Sequence, residues 1–272
     1  MLIIMTITLL AGQNGLAANR PESERLRLEM TVQQAQGDLE AAAATGVRAV
    51  ALARREGIEK PGDLAFTLNN LALIHQKLGD HRHAEPLFRE ALPLWEKAYG
   101  PEDDNVASSL GNLGGCCLAL KKTREAEAFL RRSLEVRGKV HHGDSPEMLP
   151  CLNQLAILYQ FSGRMGLCIQ ELQHAVAVCD RFFGDEHIQT AICSDNLAGL
   201  FFREGKLVEA EKYCAKALKY WENNGTPDHP LLGLQLVKMS QIKEALGQDV
   251  AAAGFADRAT KIFERNKPGQ AY

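Results

Sequence analysis

The sequence has few aromatic residues, no marked excess of charge of either sign, and no apolar run long enough to cross a membrane. Aromatic residues are 6% of the 272 residues, and Ala and Leu dominate the apolar content, which favours helices over a β-sandwich. The net charge of −3 gives no general attraction to nucleic acid or to an anionic membrane. A membrane-spanning helix needs about 20 apolar residues, and we therefore predict no membrane span.

The amino-terminal run Leu2–Ala11 is apolar and uncharged, although it is too short to span a bilayer. Gly15-Leu16-Ala17 then gives the small–x–small spacing of a signal-peptidase site. No Lys or Arg precedes the run, which is unusual for a signal. We predict that residues 1–17 are a signal peptide and that the protein is exported to the periplasm or secreted. The alternatives are an apolar cap on the first repeat or a misplaced start codon, in which case the protein is cytoplasmic.

The cysteines are odd in number, and their spacings are those of neither a disulfide framework nor a zinc site. They are Cys116, Cys117, Cys151, Cys168, Cys179, Cys193 and Cys214. We predict buried thiols, which suit a reducing compartment. One pair, Cys151 and Cys193, falls at equivalent positions of successive helices, about 10 Å apart, which is too far for a disulfide.

Catalytic and cofactor motifs are missing from the sequence. Gly199–Leu207 is one residue too long for a phosphate-binding loop and ends in Leu where Ser or Thr is needed. His141 and His142 are adjacent, but two adjacent imidazoles are not a metal site without further ligands. The basic segment Lys121–Lys139 fits a solvated helix face better than a nucleic-acid patch. We predict no enzyme, no cofactor and no metal.

The chain repeats with a period of 42 residues, as the step from Gly37 to Gly79 illustrates. A turn column holds Gly37, Gly79, Lys121, Gly163, Gly205 and Gly247. A first column of small residues holds Ala42, Ala84, Ala126, Cys168, Ala210 and Ala252. A second holds Ala49, Ala91, Ser133, Ala175, Ala217 and Ala259. Such self-similarity indicates a stacked array of structural repeats.

Each repeat reads as a helix, a turn and a second helix. The turn glycine can adopt the left-handed conformation that ends a helix, and the small residues allow two helices to approach closely. At Lys121 the same turn has to be made with a Cβ atom present. We predict an all-α fold, a right-handed α-solenoid of helix–turn–helix repeats.

The repeat resembles the tetratricopeptide repeat, and "NNLALIHQKLGDHRHAEPLFREALPLWEKAYG" is similar to the 42-residue variety found in kinesin light chain. The resemblance implies five tetratricopeptide-type repeats over residues 61–266. It also implies a degenerate amino-terminal helix pair over residues 18–60. Residues 267–272 remain as a carboxy-terminal tail.

Two adjacent asparagines, Asn69 and Asn70, interrupt the leucine-rich first helix of one repeat. They lie away from the apolar stripe of Leu68 and Leu71, on the face that lines the concave groove in tetratricopeptide arrays. The resemblance to kinesin light chain implies that groove asparagines bind the main chain of an extended peptide. The matching positions are Asn69, Asn70, Asn112, Asn153 and Asn196, to which we add Gln154 and, for apolar pockets, Phe66 and Phe202. Alternatively, the amides cap turns or bridge neighbouring first helices.

The pattern therefore predicts a non-catalytic scaffold that binds a protein or an extended peptide segment. We expect no nucleic-acid partner, and the sequence does not indicate an oligomeric state. The alternative is a regulatory or accessory subunit of an enzyme or of a nucleic-acid-binding complex.

Overall fold

The structure is a computed structural model that describes residues 20–55 and 60–266. These residues form twelve α-helices and one short 3-10 helix, with no β-strand among them. The predicted all-α class is confirmed. The proposed signal peptide, residues 1–17, and the tail, residues 267–272, lie outside the described residues.

The helices fall into two compact units, Met1–Asp144 (unit 1) and Ser145–Tyr272 (unit 2). The helices of unit 1 are α1 (Glu22–Gln36), α2 (Leu39–Arg55), α3 (Pro61–Lys77), α4 (His81–Tyr99), α5 (Asp104–Ala119) and α6 (Thr123–Val140). Unit 2 begins with the 3-10 helix Pro146–Met148 and continues with α7 (Leu149–Phe161), α8 (Met165–Phe182), α9 (Ile188–Arg203), α10 (Leu207–Asn224), α11 (Pro230–Ala245) and α12 (Asp249–Arg265). Odd-numbered helices are the first of each pair and even-numbered helices are the second.

Within each unit, a first helix packs most extensively on the second helix of its own pair. Each second helix then packs on the first helix of the next pair. The repeats are thus stacked in sequence order inside each unit. None of the described helices is both long and apolar enough to cross a membrane.

The six positions of the turn column all have positive φ, as the repeat predicts. In the pair α3–α4, the Asp80 amide donates to the His75 carbonyl (2.8 Å) and the Gly79 amide donates to the Gln76 carbonyl (3.0 Å). These two bonds are the Schellman closure of a helix end. Lys121 makes the same turn at φ 60°, which confirms that this turn is made with a side chain present.

The two small-residue columns are buried at every position. Ser133 stands where the other repeats have Ala, and its hydroxyl donates to the Ala107 carbonyl of α5 at 2.6 Å. A buried hydroxyl is costly without a partner, so this bond allows Ser at the helix contact. At Gly114 of α5, an added Cβ would lie 2.7 Å from the Leu130 side chain of α6, so this close approach requires Gly.

All seven cysteines are buried and unbonded to one another by disulfides, as predicted. The repeat places Cys151 and Cys193 at equivalent positions of successive first helices, which predicts that they are too far apart for a disulfide. The structure instead brings Cys179 of α8 to Cys193 of α9, with the two Sγ atoms 3.5 Å apart. This contact joins a second helix to the following first helix, which the alignment of equivalent helices could not indicate.

Candidate functional site

The candidate site in unit 1 is the face of the first helices that carries the predicted asparagines. Phe66, Asn69 and Asn70 lie at i, i+3 and i+4 of α3 and therefore share one face. Leu68 and Leu71 are buried on the other side of the same helix. Asn112 is at the Asn70 position of α5 and is half-buried. We call these four residues, Phe66, Asn69, Asn70 and Asn112, the amide face of unit 1.

An arginine from the preceding helix pair covers part of this face. The Arg27 guanidinium of α1 lies 5.3 Å from the centroid of the Phe66 ring and donates to the Asp63 carboxylate at 3.1 Å. A cation over an aromatic face is attracted by the ring quadrupole. Phe66 remains 41% exposed and offers an apolar surface beside a fixed positive charge. The sequence argument placed Phe66 on this face but did not foresee Arg27.

The amide face of unit 2 consists of Asn153 and Gln154 on α7 with Asn196 and Phe202 on α9. Asn153, Gln154 and Phe202 are half-buried, and Asn196 is exposed. Phe202 lies seven residues after Asp195, and so it shares the stripe of Asp195 rather than that of Asn196. Ile192, one turn before Asn196, is exposed and supplies a nearer apolar contact.

The side-chain amides of both faces are free of hydrogen bonds within the described residues. Three of the amide oxygens, Oδ1 of Asn69, Oδ1 of Asn153 and Oε1 of Gln154, are moreover buried. Buried polar atoms in native proteins normally have a hydrogen-bond partner, and these three oxygens have none among the described residues. Within residues 20–55 and 60–266, these amides form no hydrogen bond that bridges neighbouring first helices.

The last repeat departs from the amide pattern. Lys238 of α11 is in the Asn70 column, and its Nζ pairs with the Asp195 carboxylate of α9. Asp195 is itself in the Asn69 column. Lys238 and Asp195 are thus paired with each other. The unpaired amides of unit 2 are those of Asn153 and Gln154 on α7 and of Asn196 on α9.

A series of ion pairs joins consecutive second helices, and the sequence argument missed it. In unit 1, Arg54 of α2 pairs with Glu90 of α4 at 2.6 Å. In unit 2, Glu222 of α10 pairs with Arg258 of α12 at 2.7 Å. Equivalent pairs are Glu96–Arg132 and Asp180–Lys216. All four join residues 36 apart, so a search for opposite charges at that separation could have found them.

Comparison with known proteins identifies the family to which this repeat architecture belongs. The profile of the tetratricopeptide repeat family matches residues 31–92, 63–139, 148–207 and 193–265. The chain belongs to the tetratricopeptide repeat family. Tetratricopeptide repeats stack into extended surfaces that bind other proteins.

Curated relatives of this tetratricopeptide repeat protein are much longer than the chain. The Clustered mitochondria protein homolog of Homo sapiens is 24% identical over 151 residues, which are 54% of this chain and 12% of that protein. The homolog of Aspergillus niger is 22% identical over 142 residues, covering 52% of this chain and 11% of that protein. The chain therefore matches only about an eighth of the length of either relative.

Solved structures share the fold. BtubC (BKLC) from P. vanneervenii has a TM-score of 0.68 and 23% identity, with 86% of this chain and 94% of that chain covered. A Podosopora anserina protein described as a kinesin light chain with nearly identical TPR-like repeats has a TM-score of 0.66 and 20% identity, covering 78% and 100%. The predicted likeness to kinesin light chain-type repeats is confirmed for the fold.

Proposed function

We propose that the protein is a non-catalytic scaffold whose amide faces bind the main chain of an extended peptide segment of a partner protein. Each side-chain amide offers one acceptor and two donors. A row of them can therefore bond peptide groups whatever the peptide's sequence. Phe66 and Ile192, both exposed, supply apolar contacts through which side chains of the peptide would be selected.

The observation that carries the proposal is the set of buried, unpartnered amide oxygens of Asn69, Asn153 and Gln154. A peptide N–H group is a donor of the right kind for each of them, and it reaches these buried oxygens once the side-chain amide rotates toward the peptide. A bond made in such a half-buried position is worth more than one made in water. Membership in the tetratricopeptide repeat family also supports a role in binding a partner protein. The alternative role, an accessory subunit of an enzyme or nucleic-acid-binding complex, would use the same faces for a partner subunit.

The test is peptide selection followed by calorimetry. A displayed library of random peptides is selected on the full chain, and the affinities of the enriched peptides are compared between the wild type and the triple variant Asn69→Ala, Asn70→Ala, Asn112→Ala, whose three changes all lie on the amide face of unit 1. Each lost hydrogen bond should cost about 0.5–1.5 kcal/mol. At about 1.4 kcal/mol per decade, the triple variant should bind tens- to thousands-fold more weakly.

The matched control is Gln173→Ala, which removes an exposed amide from the second helix α8. This control should bind like the wild type. The thermal melt of the triple variant should not fall, because Ala is the better helix former and the three amides make no bond in the folded chain. A lowered melting temperature with unchanged affinity would show that the amides are architectural.

A further inference from the structure

The turn between α3 and α4 gathers two histidines and an aspartate that the proposed function does not use. His75 lies near the end of α3, Asp80 is the residue that caps α4, and His83 lies in the first turn of α4. One ligand atom from each residue, an imidazole nitrogen or a carboxylate oxygen, lies within 4.8 Å of the other two. This is the distance range within which small side-chain movements can enclose a single ion.

The Asp80 carboxylate is held between the two imidazoles. Its Oδ1 accepts from the His83 amide at 3.3 Å, which is the helix cap. Its Oδ2 lies 2.6 Å from Nδ1 of His83 and 3.6 Å from Nδ1 of His75. The two imidazole rings stack with centroids 5.5 Å apart. Nδ1 of His75 is buried and has no hydrogen-bond partner, although it faces the carboxylate.

We propose that His75, Asp80 and His83 bind one divalent transition-metal ion of the zinc class. Two imidazole nitrogens and one carboxylate oxygen form a donor set that suits Zn²⁺, and three protein ligands leave a coordination position for water. Because Zn–N bonds are about 2.0–2.1 Å, ligand atoms in a tetrahedral site lie about 3.3 Å apart. The side chain of His83 is 74% exposed, so it can rotate by the remaining distance without disturbing the core.

The corresponding columns of the next repeat place a positive charge in the same neighbourhood. They hold Cys117, Lys122 and Glu125 in place of the three ligands. Nζ of Lys122 lies 2.7 Å from the Glu85 carboxylate. Here the chain supplies its own cation, whereas the turn of the preceding repeat offers a carboxylate and two imidazoles. A bound ion would tie the end of α3 to the start of α4 and so stabilise that helix pair.

The test uses the full chain without an affinity tag, kept reduced with a phosphine that does not bind metal. Zn²⁺ is titrated calorimetrically into the wild type and into His83→Ala and Asp80→Asn. Asn is as good a helix cap as Asp, so Asp80→Asn removes the carboxylate charge and keeps the fold. The control is His142→Ala, which removes an exposed imidazole from a distant loop. Absorption of the Co²⁺-loaded protein reports the ligand type.

The wild type and His142→Ala should bind one equivalent with the same affinity, and each ligand variant should bind at least about tenfold more weakly. The melting temperature of the wild type should rise with Zn²⁺, and that of His83→Ala should rise less at the same Zn²⁺ concentration. The proposal is overturned by no saturable binding in the wild type, or by equal affinity in His83→Ala. A thiolate-to-cobalt charge-transfer band would assign the ion to cysteines and would also overturn it.

Discussion

Lys121 is the single residue of the turn column that is not glycine, and it holds φ at 60°. A left-handed backbone costs an L-residue about 1–2 kcal/mol, which the greater freedom of unfolded glycine offsets by about 0.5–1 kcal/mol. Lys121→Gly should therefore raise the free energy of unfolding by about 0.5–1 kcal/mol. The midpoint of urea unfolding, at unchanged slope, measures this.

The reverse change provides the control. Gly163 has φ 70°, and an added Cβ would meet no atom within 4 Å. Gly163→Ala should lower the stability by a similar amount through backbone strain alone. If the two variants shift the midpoint in the same direction, backbone conformation is not what decides these turns.

The thiols should react slowly while the protein is folded. Burial raises the pKa of both Cys116 and Cys117 to about 11 and that of Cys214 to about 12. Since the thiolate is the reactive form, little of it is present near neutral pH. Mass spectrometry after alkylation should show little modification before denaturant and seven modified thiols after it. A disulfide between Cys179 and Cys193 in freshly purified protein would contradict this.

At the scale of the helix, the ion pairs between second helices couple one repeat to the next. Surface pairs are typically worth about 0.2–1 kcal/mol, and a double-mutant cycle isolates that coupling. The cycle of Glu222→Gln and Arg258→Gln should give a value in this range. Raising salt from about 0.1 M to about 1 M shortens the screening length from about 10 Å to about 3 Å, so the coupling should diminish.

The control for the cycle is Glu264→Gln with Arg258→Gln. Glu264 is an exposed acidic side chain on α12 and has no ion pair among the described residues. The coupling for this combination should be close to zero. A coupling between Glu222 and Arg258 that salt does not change would show that charge attraction is not its source.

The helix pairs, their turns and the small residues at their contacts were predictable because the repeat samples each position six times. Gly37 and Lys121 fall in one column, and their shared geometry follows from the column. Contacts that depend on the stagger between neighbouring helices were not predictable. The approach of Cys179 to Cys193 crosses from one repeat to the next at an offset that the period does not fix.

The candidate site was predictable in part, because the repeat and the helical spacing fix which residues share a helix face. Helical spacing alone places Asn69 about 200° from Leu71, and Asn70 about 200° from Leu68. It could not show that Arg27 of another helix pair lies over Phe66, because that contact depends on tertiary packing. The grouping of His75, Asp80 and His83 was not predictable, because it depends on the geometry of the turn between α3 and α4.

At the scale of the whole chain, the predicted signal peptide decides the compartment. We propose that residues 1–17 are removed on export, so protein purified from its native host should begin near Ala18 when sequenced from the amino terminus. Recovery of intact Met1 in a cytosolic fraction would reject export.

Helices within a unit make extensive contacts only with neighbours one or two places along the chain. Few of the contacts that stabilise a unit therefore join residues that are far apart in the sequence. Proteins dominated by local contacts fold in microseconds to milliseconds. Ribosomes add about 5–20 residues per second, so the 42 residues from Gly37 to Gly79 take about 2–8 seconds to synthesise. Each repeat can thus pack on the repeats that are already folded long before its successor is complete. During translation the nascent chain should expose the apolar surface of about one repeat at a time, which limits the time for which chaperones would need to shield it.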